Sequence, residues 1–469
     1  MVIYNQTLSI ANTSINAGVV LQLAIIEAEG STRPRVHRLT IRSAARVALA
    51  AAGLASVMGC GNTYRPVVTA INPVGPASQP QKYAVAVSKS PDPASPGLVT
   101  LVDFSGDTVL VTPNVGVGPY YLVLDSSGVT GYTLNSDTTV TSFDISTSLQ
   151  TKDVLQTTLL AGANPVSLFP DGASTYITEP GRNAIAQLRG SPIALQQELP
   201  VAPNAIYVTG AVGALRAYAI SQGTPGNNGQ VAAIETSSNT ISTTLTVGVG
   251  PVYGVMTADG KRAFILNQTD GTVSVINAQT NQLDIMPSGS TNPIQVGASP
   301  LWADFAPTRT ELVVANAGTG KGTGSLSIIN IPLCSAVSLP NNPNCSAANP
   351  VDAVGFGQVL ATVAVGHSPV MVSVLQDGTR AYVANFADST VSVVNLSTNT
   401  VTATIPVVGR PIYIAATQGT PTGKVYVVSA DTVAPNKNSV MTVIRTDTDS
   451  VATTVNLQGI GVSVRVTAQ

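Results

Sequence analysis

Few residues of this sequence are suited to chemistry. Its 469 residues include three cysteines and two histidines, and only 10% are charged. Zinc and haem sites need closely spaced Cys or His, and phosphate sites need a Gly-rich loop; the sequence shows neither pattern. A Ser-His-Asp site would have to use His367, the only histidine after residue 60. The sequence therefore predicts no catalytic residue set, no metal site and no cofactor.

Asp304 is the acidic residue that stands apart. Asp171, Asp259 and Asp377 each precede a glycine in a predicted hairpin turn, where a carboxylate accepts backbone hydrogen bonds. Asp304 instead falls within a predicted strand, two residues after Trp302, so both side chains lie on one face. It could bind a cation or act as a base, or it could be a buried acceptor for backbone N–H groups.

A second candidate site is formed by the residues two positions after a recurring proline. If repeated units surround an axis, these residues lie at one height near one mouth of a central channel. Large side chains there could bind a sugar, a peptide or a polymer by stacking. The alternative is that they wedge between neighbouring units. The positions are Tyr121, Ser167, Ala205, Tyr253, Trp302, Met371 and Tyr413. We take the large residues Tyr121, Tyr253, Trp302, Met371 and Tyr413, with Asp304, as the candidate binding site.

The elements that would position these residues are clearest between Thr379 and Gly419. Four short runs there are rich in β-branched or alternating residues and are separated by turn-forming residues. They predict one four-stranded antiparallel sheet. The runs are Ala381 to Ala384, Thr390 to Val394, Val401 to Val407 and Ile412 to Ala416.

The same pattern recurs along most of the chain. An aromatic or apolar residue begins the second strand of each unit, and most units open with a Gly-x-x-Pro corner such as Gly366 to Pro369. Units of 40 to 50 residues with four strands each are typical of a β-propeller. The residues that begin the second strands are Tyr83, Tyr132, Tyr176, Tyr218, Phe264, Val313, Tyr382 and Tyr426.

Counting these units predicts an all-β, single propeller of eight blades. Eight first strands follow the eight sets of second, third and fourth strands, and the last of them, Val462 to Val466, has no following unit. It is expected to join the first blade beside Tyr83 to Ala86 and close the ring, which removes exposed sheet edges. Seven blades is the alternative if one weak unit is an insertion.

One stretch carries a family resemblance. DGTRAYVANFADSTVSVVN, from Asp377 to Asn395, resembles the repeat of the YVTN family of β-propellers, which includes YncE-like proteins. The resemblance extends over about residues 80 to 469. It implies the propeller fold and an exported or surface protein, for which the ligand is often unknown; related propellers include lactonases. Tyr176 to Glu179 and Tyr218 to Ser221 depart from the motif.

The N-terminal part predicts export. Residues 33–59 combine a basic region with an apolar run too short to span a bilayer, as in a signal peptide. Val57 to Cys60 resembles the lipobox of bacterial lipoproteins, which implies a lipid on Cys60 and a place in the cell envelope, at the outer membrane or periplasmic face. A signal peptide cut nearby is the alternative. Residues 1–32 suggest a mis-assigned start, and 60–81 read as a flexible tether.

The propeller is expected to occupy residues 82–469, with an insertion at 331–358. Cys334 and Cys345 lie in this insertion, in a loop rich in Pro and Asn, and we expect them to form a disulfide in an oxidising compartment. A metal site is the rival, but no third Cys or His lies near them.

These observations favour a non-enzymatic binding or scaffold module. Its partners would be the membrane, through the lipid at Cys60, and a protein, peptide or glycan ligand. A net charge of −2 without a basic run argues against nucleic acid. The alternatives are a lactonase- or hydrolase-type propeller enzyme with a channel site near Asp304, and self-associating surface-layer material.

Overall fold

A computed structural model describes residues 82–145, 154–319, 322–333, 352–417, 419, 422–432 and 438–467. These residues form eight antiparallel sheets arranged in a ring, so the predicted eight-bladed β-propeller is confirmed. No helix long and apolar enough to cross a membrane occurs in the described part of the chain. The predicted signal peptide, Cys60 and the tether lie outside the described residues, as do Cys334 and Cys345.

Blades are numbered 1 to 8 from the N-terminal end of the ring. The strands of blades 1 to 4 are β1 (Tyr83–Lys89), β2 (Pro96–Asp103), β3 (Val109–Val111) and β4 (Asn114–Val117) in blade 1; β5 (Pro119–Leu124), β6 (Thr130–Asn135), β7 (Thr139–Asp144) and β8 (Val154–Thr158) in blade 2; β9 (Ser167–Asp171), β10 (Ser174–Glu179), β11 (Ala184–Arg189) and β12 (Ala194–Pro200) in blade 3; β13 (Ala205–Gly210), β14 (Arg216–Ser221), β15 (Asn228–Glu235) and β16 (Thr240–Val249) in blade 4.

Blades 5 to 8 continue in the same order, and the final strand returns to blade 1. Their strands are β17 (Pro251–Met256), β18 (Arg262–Asn267), β19 (Thr272–Asn277), β20 (Gln282–Leu283) and β21 (Ile294–Gln295) in blade 5; β22 (Pro300–Ala306), β23 (Glu311–Asn316), β24 (Thr323–Asn330) and β25 (Val359–His367) in blade 6; β26 (Pro369–Val374), β27 (Arg380–Asn385), β28 (Thr390–Asn395) and β29 (Thr400–Pro406) in blade 7; β30 (Pro411–Thr417), β31 (Lys424–Ser429), β32 (Val440–Arg445) and β33 (Ser450–Asn456) in blade 8; and β34 (Ile460–Val466) in blade 1.

The ring is closed by β34, which pairs antiparallel with β1. Ala84 pairs with Val466 and Ala86 with Val464, and the backbone N–H of Thr467 donates to the carbonyl of Tyr83 over 3.0 Å. This is the closure that the sequence predicted. As a result, the inner strand of every blade has an inner-strand neighbour on each side.

Blades pack face to face, which explains why their middle strands are apolar throughout. In β27, Ala381 to Ala384 are all fully buried, because one face meets blade 6 and the other meets blade 8. The outer strand β29 is mostly exposed and rich in Thr. Within the described residues, eight hydrophobic clusters occupy the eight interfaces between blades, so burial is shared around the ring.

The corner before the inner strand needs glycine in blades 2, 5, 6 and 7, because the backbone there approaches an asparagine. A Cβ on Gly366 would lie 2.6 Å from Cγ of Asn385, and one on Gly248 would lie 2.7 Å from Cγ of Asn267. The next residue of the corner is tied as well: the backbone N–H of His367 donates to Asp388 Oδ2 over 2.7 Å. In the blades that have them, these contacts set where the inner strand begins.

The described ends of the insertion, 331–333 and 352–358, lie between the third and fourth strands of blade 6. They contact blade 5. Arg262, only 1% exposed, places its Nη2 3.0 Å from Asp352 Oδ1, and the ring of Phe356 stacks on Phe264 with centroids 6.2 Å apart. This part of the insertion therefore covers the neighbouring blade.

Candidate functional site

The inner strands bring one residue from each blade to the same level of the channel, which we call the ring position. It is defined by the strand register: Tyr253 pairs with Leu266, and Ser463 pairs with Val87, the corresponding residue of blade 1, directly after a register shift in each case. The ring positions are Ser463, Tyr121, Ser167, Tyr207, Tyr253, Trp302, Met371 and Tyr413, in blades 1 to 8.

Blade 4 differs from the sequence-based assignment. Ala205 pairs with Ser221, in the place that Pro251 takes opposite Asn267 in blade 5, and Tyr207 pairs with Ile220 at the ring position. The assignment of Ala205 counted from Pro203, but the corner of this blade is shifted by two residues. Asn204, with φ 59°, supplies the left-handed turn before the strand. Counting eleven residues back from Tyr218, as from Phe264 to Tyr253, would have found Tyr207.

Arg465 was also missed by the sequence analysis. Its strand follows Gly459 rather than a corner proline, so the proline count did not include it. Its register with β1 places it two residues after the ring position Ser463, at the level of Asp304 in blade 6. The position could have been found by extending the repeat through the predicted closing strand.

The ring residues contact one another across blade boundaries. Tyr253 stacks on Trp302 with centroids 4.2 Å apart, Tyr207 lies 4.8 Å from Tyr253, and Trp302 meets Tyr413 edge-on at 5.8 Å. Met371 Sδ accepts the backbone N–H of Ile414, in the next blade, over 3.4 Å. The ring therefore joins blades, as the packing alternative requires, and it also forms part of a cavity wall.

That cavity occupies the central channel and has a volume of about 680 Å³. It extends from the ring to the loop after β5, where exposed Ser126 brings it to solvent. The residues two positions after each ring position line it: Arg465, Val123, Phe169, Thr209, Val255, Asp304, Ser373 and Ala415. A volume of this order suits a small organic molecule.

Asp304 lies in this wall and binds the backbone. Its Oδ2 accepts the N–H of Val374, in the next blade, over 2.8 Å, and its Oδ1 accepts the N–H of Phe305 over 2.9 Å. Burial raises the pKa of the Asp304 carboxyl to about 6, although the two N–H groups and the charge of Arg465 lower it. Asp304 is thus an acceptor for backbone groups, and each oxygen keeps a second lone pair.

Arg465 brings a cation into the aromatic ring. Its guanidinium carbon lies 4.7 Å from the ring centroid of Tyr413 and 5.8 Å from that of Trp302, within the range of cation–π attraction. Its Nε donates to the carbonyl of Leu122 over 3.3 Å. Among the described residues, no hydrogen-bond partner is found for Nη1 or Nη2, and no carboxylate lies within 4.0 Å of the guanidinium.

The other residues singled out from the sequence lie in turns and corners. In the corner before the inner strand of blade 7, His367 Nδ1 is 2.8 Å from Asp388 Oδ1. The equivalent corner of blade 8 pairs Arg410 with Asp431. Asp377 accepts the N–H of Thr379 over 2.9 Å. Within the described ranges, no group of three His, Cys, Asp or Glu side chains is placed to hold a metal ion.

Comparisons with known proteins find likeness in structure only. No family model matches the sequence, and neither does any curated protein. AztD from Citrobacter koseri, solved in its apo form, is 13% identical over 82% of this chain and 97% of its own, with a TM-score of 0.54. The dihydro-heme d1 dehydrogenase NirN, solved in complex with DHE, is 11% identical over 84% of this chain and 76% of its own, also at 0.54.

A putative 6-phosphogluconolactonase from Bacteroides fragilis is 15% identical over 72% of this chain and 98% of its own, with a TM-score of 0.48. What AztD and NirN share with this chain is a fold. That fold is the β-propeller. At such identities a function does not transfer with the fold. The resemblance to the YVTN family stays a prediction.

Proposed function

We propose that this chain is a non-enzymatic binding module of the bacterial cell envelope, which holds a ligand in its central cavity and is anchored by a lipid on Cys60. The observation that carries the binding role is the cavity of about 680 Å³, whose wall combines the aromatic ring with a cation that has unused donors. Apolar walls with a few polar groups are typical of small-molecule sites.

The binding role can be tested by recovering the ligand. Full-length protein is purified from detergent-solubilised envelope, and the bound small molecules are identified by mass spectrometry. Tyr121 lines the cavity, whereas its neighbour Tyr120 lies on the other face of β5 with 39% of its surface exposed. We expect Tyr121→Ala to lose the bound molecule and Tyr120→Ala to keep it. Equal recovery from both variants, each with wild-type melting behaviour, would contradict the proposal.

The anchor is tested separately. Cells expressing the full chain are labelled with radioactive palmitate, and the envelope is fractionated. Wild-type protein is expected to carry the label and to sediment with membranes, and Cys60→Ser is expected to lose both properties. Label that persists in Cys60→Ser would remove the lipoprotein assignment and leave the cavity proposal unaffected.

One observation favours the lactonase- or hydrolase-type alternative. The raised pKa of Asp304, about 6, is suited to proton transfer near neutral pH. Asp125, the other carboxylate in the described cavity wall, accepts the backbone N–H groups of Val129 and Thr130 within its own turn. Hydrolysis of lactone or ester substrates by the wild type that falls at least about a hundredfold in Asp304→Asn would establish the enzyme.

A further inference from the structure

The central cavity contains one cation and few groups to neutralise it. Arg465 is the only Lys or Arg among the described residues that line the cavity, and its closest aromatic neighbours offer ring faces rather than counter-ions. Its one hydrogen bond to a described residue uses Nε. Both Nη atoms can therefore donate hydrogen bonds to a ligand that enters the cavity.

A guanidinium with free N–H groups selects for acceptors of matching shape. Its fork of donors binds a planar carboxylate through two parallel hydrogen bonds, and such bonds are stronger where water is excluded. The guanidinium lies over the rings of Trp302 and Tyr413, which restrict where it can move. The position is thus restricted in advance, which lowers the entropy lost when an anion binds.

The net charge of the wall limits the anion to a single charge. Asp304 faces the same cavity as Arg465, close enough for the Arg465 charge to act on its carboxyl. A dianion such as a phosphate monoester would bring two negative charges to a described wall that holds one cation, Arg465, and two carboxylates, Asp304 and Asp125. A monocarboxylate leaves a smaller imbalance.

Resting on the proposed binding function, we infer that the ligand of the central cavity is a small organic acid with one carboxylate, which binds to Nη1 and Nη2 of Arg465. The ring-shaped body of the acid lies against Trp302, Tyr253 and Tyr121. Asp304 faces this ligand as a like charge and weakens its binding.

The experiment compares pairs of probes that differ only in the acid group. Titration calorimetry is carried out with glucuronate against glucose, and with indole-3-acetate against tryptophol, up to about 10 mM. We expect at least one acid to bind about tenfold or more tightly than its neutral partner, and glucose 6-phosphate to bind more weakly than glucuronate. Absence of binding by both acids, or tighter binding of the phosphate, would overturn the inference.

Two variants separate recognition from folding. Arg465→Gln is expected to remove the difference between acid and neutral probe, and Arg465→Lys to retain part of it, because lysine keeps the charge without the fork. Asp304→Asn is expected to raise the affinity for the acid several-fold, a gain that damage to the fold would not produce. Unchanged or reduced affinity in Asp304→Asn would count against the arrangement.

Failure of the carboxylate inference can also be distinguished from failure of the proposed function. If both acids fail to bind while a neutral molecule is recovered with wild-type protein and lost in Tyr121→Ala, the carboxylate inference is wrong and the binding module remains. If an acid binds in the cavity but nothing is recovered from the envelope, the carboxylate inference stands and the proposed binding function is wrong.

Discussion

The polar groups on the second strands and those in the channel are used differently. Asn135, Asn267 and Asn385 end the second strands of blades 2, 5 and 7, are at most 1% exposed, and each donates to hydroxyls of the third strand, as Asn385 does to Ser392 over 2.8 Å. Arg465 and Asp304 occur once each and face a cavity. Polar residues that repeat from blade to blade therefore mark the scaffold, and polar residues that occur once mark candidate sites.

Blade 3 shows that an isolated polar residue can also lie outside the channel. Glu179 takes the place of the asparagine, is fully buried, and has no hydrogen-bond partner for either carboxylate oxygen. Burial raises its pKa to about 8, neighbouring Glu198 adds to the rise, and Arg182, 3.9 Å away, opposes it. Ala184 and Ala186 stand where other blades have hydroxyls, so the carboxylate is not supported as the asparagines are.

Trp302→Ala tests whether the ring belongs to the scaffold as well as to the site. Trp302 packs against three of the clusters between blades, so we expect a loss of about 3 kcal/mol in the free energy of unfolding. Denaturant unfolding of wild type and variant measures it. A loss below about 1 kcal/mol together with lost ligand binding would assign the ring to the ligand alone.

Asn135→Ala tests the scaffold side of the comparison. The amide donates to Thr141 Oγ1 over 2.8 Å and accepts from Thr133 Oγ1 over 3.1 Å, so its removal leaves the buried Thr133 hydroxyl without its acceptor and takes one of two donors from Thr141. We expect a loss of about 2 kcal/mol and unchanged ligand affinity. Asn438→Ala is the matched control, because that amide makes an exposed bond to Asn456, and it should cost less than about 0.5 kcal/mol. Equal costs would refute the distinction.

Glu179→Gln tests the exception in blade 3. The folded protein holds this proton more tightly than the unfolded chain, so wild-type stability falls as pH rises from about 4.5 through about 8. Glutamine remains neutral, and we expect the variant to match wild type near pH 4 and to exceed it by about 2 kcal/mol at pH 9. Thermal unfolding across this range measures the difference. Parallel curves for the two proteins would show that the carboxylate is not buried.

Asp304→Asn tests the cavity carboxylate and should give the smallest effect on stability. Its pKa of about 6 lies above the usual value of 3.8, so the wild type loses stability as pH rises between these values. The variant should lose about 1 kcal/mol less across the same interval. Its overall stability should be slightly lower, because an amide can accept only one of the two N–H groups. An identical pH dependence of stability in the two proteins would show that the Asp304 carboxylate is exposed to water.

Local sequence signals were sufficient for much of the fold. Turn residues such as Asp377-Gly378 and β-branched runs such as Thr390 to Val394 are short-range features, and their recurrence predicted eight blades and the return of the last strand. Trp302 and Asp304 were placed on one face from strand periodicity, and both line the cavity.

Other features depend on contacts between distant parts of the chain. Tyr207 enters the ring because the corner of blade 4 is shifted, and Arg465 enters the cavity wall because β34 pairs with a strand more than 370 residues earlier. The sequence alone determined which segments are strands and how often they recur, since those follow from local propensity and turn chemistry. Only the tertiary structure decided which side chains share the channel, because closing the ring sets the final register between strands far apart in the chain.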